Sequence, residues 1–190
     1  MTPPVLTALS LHHIFVSDGH SYFGRHGLGS AKFQIREVHE VECVTGRGLR
    51  GDRYFDHQEN YKGQVTLFSQ EVFNELCRAV NTPQAAPAAV RRNLLVSGAD
   101  LNELIGRPFE LQGVRLEGTE ECRPCYWMDE AISPGAHDWL KGRGGLRCRI
   151  LSDGWLKTDG FPPNCGSELA RENSRPESRA SSLPQPESSR

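Results

Sequence analysis

The chain has 190 residues, of which 37% are hydrophobic, and a formal net charge of −2. It is long enough for one domain with a real core and too short to expect two. The near-neutral balance gives no basic footprint for nucleic acid or an anionic membrane surface, and no apolar run is long enough to cross a bilayer, so neither is expected as a partner.

Residues 1–8, which include Pro3-Pro4-Val5-Leu6, carry neither a basic leader nor a clean apolar stretch. They read as a short extension rather than a signal peptide, which points to the cytoplasm. In that compartment the six cysteines (Cys43, Cys77, Cys122, Cys125, Cys148 and Cys165) are expected as thiols rather than as a disulfide framework.

The first strand is expected over residues 11–16, ended by Ser17-Asp18-Gly19. Residues 19–30 are rich in Gly, His and aromatics and read as a long loop that carries His20 and His26. Residues 37–44 alternate apolar and polar, which predicts one half-buried strand, followed by a turn at 45–48. Another strand is expected at 64–68. Ser69 then offers an N-cap to a helix over 71–80, with Cys77 on its apolar face and so expected to be buried.

Four more short strands are expected at 93–96, 108–111, 114–117 and 146–151, with Gln112-Gly113 closing a tight hairpin between the middle two. Apolar residues almost vanish from Phe161 onward, so residues 159–190 are expected to form a disordered tail and Cys165 to be incidental. The folded domain is then 9–158. Its fold class is mainly β with some α, a barrel or sandwich decorated by a few helices.

Three constellations can carry chemistry. The pair Cys122-Arg-Pro-Cys125 can ligate a metal, exchange a disulfide or present one reactive thiolate. Structural zinc needs about four ligands, and no second CxxC or HxxxH accompanies the pair, so Cys148 and His137 would have to complete it. A thioredoxin-type dithiol belongs near a helix start in an early βαβ unit, whereas this pair comes late in a β-rich chain. The second constellation is Gly48-Leu49-Arg50-Gly51-Asp52-Arg53, continuing to His57. It reads either as a turn with an internal ion pair or as an anion contact. The third is Arg91-Arg92-Asn93, either a solvated face or a phosphate clamp with a polar group that can read a heterocycle edge.

Taken in order, these segments resemble the MOSC family, named for the C-terminal domain of molybdenum cofactor sulfurases. The resemblance rests on Gly-Leu-Arg-Gly-Asp-Arg at 48–53, Gln-Val-Thr-Leu-Phe-Ser-Gln-Glu at 64–71 and Arg-Arg-Asn-Leu-Leu-Val-Ser-Gly-Ala-Asp-Leu at 91–101. It continues through Leu-Ile-Gly-Arg-Pro-Phe-Glu-Leu at 104–111 and Cys-Arg-Pro-Cys at 122–125. The small stand-alone bacterial members are the nearest in kind, because the separate N-terminal barrel of the two-domain relatives has no counterpart.

The resemblance implies a β-barrel-like domain with a cleft around Cys125. It implies that this thiol ligates molybdenum of a pterin cofactor (molybdopterin) or carries sulfur as a persulfide. Arg91 and Asn93 match the element that contacts the cofactor in oxidoreductase relatives, and Asp52 and Arg53 match one that shapes the pocket and holds an anion. Arg92 is a further candidate clamp for the cofactor phosphate. No pyridoxal phosphate motif is apparent. The loop at 19–27 is richer in His and aromatics than the family pattern, which makes His20, His26 and His57 secondary candidates, with Cys122 as a resolving thiol.

Three functions follow as expectations. The first is molybdenum-dependent oxidoreduction of a small N-hydroxylated or related substrate, with a redox partner. The second is sulfur or cofactor handling through a Cys125 persulfide, with a sulfur donor as partner. The third is a binding domain with an ordinary buried CxxC.

Overall fold

The structure is a computed structural model that describes residues 9–21 and 33–159. The expectations for the extension at 1–8, for His26 and for the tail from Gly160, including Cys165, lie outside those residues. All described residues fall in one compact unit.

A seven-stranded sheet has the order β2-β1-β6-β5-β9-β8-β7, and a three-stranded sheet has the order β10-β3-β4. The strands are β1 (Ser10–Ser17), β2 (Ile35–Val38), β3 (Glu40–Val44), β4 (Gly48–Leu49), β5 (Val65–Ser69), β6 (Leu94–Ser97), β7 (Pro108–Leu111), β8 (Val114–Glu121), β9 (Leu146–Ile150) and β10 (Gly154–Lys157). The helices are α1 (Gln70–Ala79), α2 (Trp127–Ala131) and α3 (Ala136–Trp139). The fold is β-rich, as expected, and the large sheet stays open rather than closing into a barrel.

β5 explains the layering. All five of its residues are buried, as a strand covered on both faces requires. Val65 and Leu67 join the main core, which also takes Val41, Cys43 and Leu49 from the small sheet and Leu156 from β10. Phe68 points the other way, into a second cluster with Phe73, Leu76 and Cys77 of α1, Met128 of α2, and Ala136 and Leu140 in and just after α3. The layers are therefore small sheet, large sheet and helices.

Only β5 and β6 run parallel, joined through α1 and a 3-10 turn at Pro87–Val90. Ser69 caps α1, its hydroxyl accepting from the Val72 amide at 3.1 Å. Gln112 and Gly113 both take positive φ (50° and 83°), as a two-residue hairpin with the right twist requires.

The strand expected over 37–44 is two strands in different sheets. β2 pairs with β1, whereas β3 pairs with β10 and β4. The chain changes sheet at His39, whose Nδ1 lies 2.7 Å from Thr158 Oγ1 and whose carbonyl accepts from the Thr158 amide at 3.0 Å. The consecutive polar residues His39-Glu40 break the alternation there. β8 runs four residues beyond its expected end, with a register shift between Gly118 and Glu120. Cys122 therefore follows β8 directly, where β8 lies antiparallel between β7 and β9. This is not the βαβ setting of a thioredoxin dithiol.

Candidate functional site

A cleft of about 480 Å³ opens on the helix side of the large sheet, at the N-terminal ends of β5 and β6. Its wall includes His20, Arg53, Tyr54, Tyr61, Thr66, Arg91, Arg92, Cys122, Arg123, Cys125, Trp127, Met128 and Arg147. Five arginines face one cavity with no carboxylate among the described lining residues, in a chain whose net charge is −2. Such a concentration of one sign focuses the field and attracts anions.

The two cysteines sit differently. Cys122 is buried and Cys125 is exposed. The Cys122 amide donates to the Gly145 carbonyl at 2.7 Å, which ties the end of β8 to the start of β9. Arg147 of β9 lines the cleft beside Cys122, with its Nε 3.6 Å from Glu120 Oε1. Burial works against the Arg147 charge, but Cys122, Tyr61 and Glu120 outweigh that effect and raise its pKa. Its alternation with buried Leu146 and Cys148 turns Arg147 away from the main core and toward the cleft.

The remaining thiols are sequestered. Burial, then the nearby Glu42 charge, pushes the Cys43 thiol up to about 12. Burial likewise raises Cys77, and it raises Cys148 well above the ordinary thiol value. Cys125 is the one exposed thiol among the described residues. No group of three His, Cys, Asp or Glu that could hold a metal ion occurs there either.

Arg92 is a brace. Its guanidinium donates to three backbone carbonyls, Gly144 (2.9 Å), Val90 (2.9 Å) and Cys122 (2.8 Å). It lines the cleft while holding the cysteine loop against the turn before β6. Gly144 allows this loop its close approach, because a Cβ there would stand 2.4 Å from the Cys122 carbonyl oxygen. Arg91 reaches the cleft from a left-handed backbone position (φ 56°), an uncommon conformation for a side chain of its size.

Asn93 lies behind the wall, 2% exposed. Its Oδ1 accepts from the Thr66 amide (3.1 Å) and hydroxyl (2.9 Å), and its Nδ2 donates to the Phe15 carbonyl and Asp52 Oδ2, both at 3.1 Å. All four hydrogen-bonding positions of the amide are thus used inside the fold. Asp52 is equally committed, accepting from the Ser17 and Tyr54 amides as well as from Asn93. Both residues position Thr66, Arg53 and Tyr54 rather than line the cavity.

Arg53 does line it. Its side chain is 12% exposed, its Nη1 is 3.6 Å from Asp52, and its Nε is buried with no hydrogen-bond partner among the described residues. An unsatisfied buried donor costs about 1–3 kcal/mol, more when charged, which a bound acceptor would recover.

Aromatic rings make up the rest of this side. Tyr54 stacks on Tyr61 at 5.2 Å and meets His20 edge-on at 5.1 Å. His57 stands edge-on to Tyr54 and Tyr61 but is absent from the wall. Partial burial, then the Arg53 and Arg91 charges, hold His20 below the usual imidazole range, with Asp52 opposing. His12 and His13 are engaged elsewhere, with Ser97 and Glu37.

The structure thus brings together Cys125, Cys122, Arg53, Arg91, Arg92 and His20. It sets Asn93, Asp52 and His57 behind them. Sequence reasoning missed Arg147, Tyr54, Tyr61 and the pair Trp127-Met128. The alternation of Leu146-Arg147-Cys148 carried a signal for the first, and nothing in spacing marked the others.

Fold and site together define a β-rich domain with a cationic, thiol-bearing cleft. A family model for the MOSC domain matches residues 51–159, and the chain belongs to the MOSC domain family. No curated protein matches it significantly. Among solved structures it is similar to the YuaD protein of Bacillus subtilis, at 19% identity and a TM-score of 0.62, over 79% of this chain and 92% of that one. It is also similar to YiiM from Geobacillus stearothermophilus (13% identity, TM-score 0.56, 78% of this chain and 71% of that one). A third is YiiM from Escherichia coli (17%, 0.52, 77% and 66%). These likenesses are of fold.

Proposed function

We propose that the cleft holds molybdenum cofactor, with Cys125 as the metal's thiolate ligand, and supports oxidoreduction of small N-hydroxylated or related substrates. One observation carries this reading: the only exposed thiol among the described residues opens on a cavity lined by five arginines. The donor set fits the group. A thiolate is a soft ligand suited to molybdenum, and guanidinium groups suit its phosphate. Arg53, Arg91, Arg123 and Arg147 supply that charge, while Arg92 holds the cysteine loop in place. When bound, the cofactor would supply oxo transfer. The chain's own part is to fix the thiol, neutralise the anion and shape the cavity between Tyr54, Tyr61 and Trp127. Cys125→Ala is expected to abolish cofactor-dependent reduction of an N-hydroxylated substrate while circular dichroism is unchanged. Retained turnover would sink the reading.

The position of Cys122 favours a second reading, sulfur carriage. A persulfide on Cys125 would be attacked at its inner sulfur by the Cys122 thiolate. The Cys122–Cys125 bond would form, the persulfide S–S bond would break, and hydrosulfide would leave with the electron pair. Arg147 lines the same wall as Cys122 and brings a positive charge to the exchange. Intact mass after exposure to a sulfur donor should show one added sulfur on wild type and none on Cys125→Ala. An unchanged wild-type mass excludes this second role.

A further inference from the structure

The cleft has two ends, set by the order of strands. Cys122 and Cys125 follow β8 and Arg147 lies in β9, whereas His20 follows β1 and Arg91 precedes β6 on the other side of β5, with Arg92 reaching across to the Cys122 carbonyl. The end without cysteines has its own constellation. Tyr54 gathers it: His20 meets that ring edge-on at 5.1 Å, and the Arg53 guanidinium lies over it at 5.0 Å. The Arg53 amide donates at 2.7 Å to the carbonyl of Ser17, three residues before His20. Arg53 Nε is buried without a hydrogen-bond partner among the described residues, and the carboxylate that would compete for it, Asp52, is occupied by two backbone amides and Asn93.

We propose that His20, Arg53 and Arg91 form an oxyanion subsite for a tetrahedral dianion of the phosphate or sulfate type, and that His20 takes up a proton when the anion binds. The proposal rests on the cleft being the ligand site, but not on what Cys125 carries. The partly buried ring faces two guanidinium groups and, more weakly, His57, and Asp52 opposes them among the described residues; Tyr54 is a neutral neighbour. His20 is therefore held neutral. A dianion beside it reverses the sign of the nearest charge and favours imidazolium. By linkage, affinity must then rise as pH falls, by up to about tenfold per pH unit between the free and bound pKa values of His20.

Sulfate is the suitable probe, because it does not titrate in this range. Calorimetry on the cofactor-free chain, in two buffers of different ionisation heat, should show one saturable site with uptake approaching one proton. Affinity should fall as pH rises, and the His20 ring resonances should titrate at higher pH with sulfate present. His20→Gln should still bind, more weakly, with its affinity flat in pH. If the anion arrives on the cofactor, loaded protein will no longer bind sulfate; if it arrives on a substrate, loaded protein will still bind. Absence of saturable binding, or binding with no proton uptake and the same pH profile in His20→Gln, overturns the proposal. The test needs no turnover and no Cys125 chemistry, so its failure is distinct from failure of the cofactor reading.

Discussion

Cys125 and Cys148 share a chemistry and differ in surroundings. Cys148 is fully buried in the main core, where the thiolate would have no solvent and no partner, while Cys125 faces the cleft mouth. A neutral, inaccessible thiol does not alkylate, because the thiolate is the nucleophile. Brief treatment of the native protein with iodoacetamide, read by peptide mass, should therefore label Cys125 and leave Cys43 and Cys148 unlabelled until denaturant is added. Equal labelling of all three would mean that the burial described here is not the solution state. Asn93 shows the same dependence on setting. An Arg-x-Asn string offers the amide as a reader of a ligand, yet the fold spends every donor and acceptor of that amide on Thr66, Phe15 and Asp52.

At the level of elements, what was legible in the sequence is what local pattern determines. The α1 cap, the Gln112-Gly113 hairpin and the core strands follow from side-chain period and turn chemistry. β4 and β10 were not legible: two and four residues long, they owe their existence to pairing with β3. α2 and α3 are too short for a helical period to emerge over them. The site was half legible for a related reason. Cys125 and the arginines stand out as residue types, but the contact that holds the cysteine loop, Arg92 across to the carbonyls of Gly144 and Cys122, joins segments 30 to 52 positions apart. That contact makes a prediction about a glycine. Gly144→Ala places a methyl 2.4 Å from the Cys122 carbonyl oxygen and 2.9 Å from the Pro124 backbone nitrogen, which backbone atoms cannot yield cheaply. We expect a loss of about 1–3 kcal/mol in urea unfolding and a changed Cys125 alkylation rate. A variant with wild-type values for both would show that the loop is not held by this approach.

Across the whole molecule, the main core joins both sheets and contains two thiols, Cys43 and Cys148. Both are raised above the ordinary thiol value, Cys43 to about 12. A raised folded-state value means that the neutral form is favoured by folding. The associated stability is fully present below the unfolded thiol pKa, about 8.5, and is lost as pH rises toward the folded one. The urea midpoint should accordingly be flat from neutrality to about pH 8.5 and decline above it. That decline should be shallower in Cys43→Ala; an equally steep one would assign it to other groups. The same scale frames the central proposal, a β-rich scaffold that presents the exposed Cys125 thiol to a cationic cleft for an anionic molybdenum cofactor. Elemental analysis of wild type and Cys125→Ser after reconstitution with the cofactor tests it most directly. The expected result is close to one molybdenum per wild-type chain and almost none on the variant; equal loading of the two, or none on either, would contradict it.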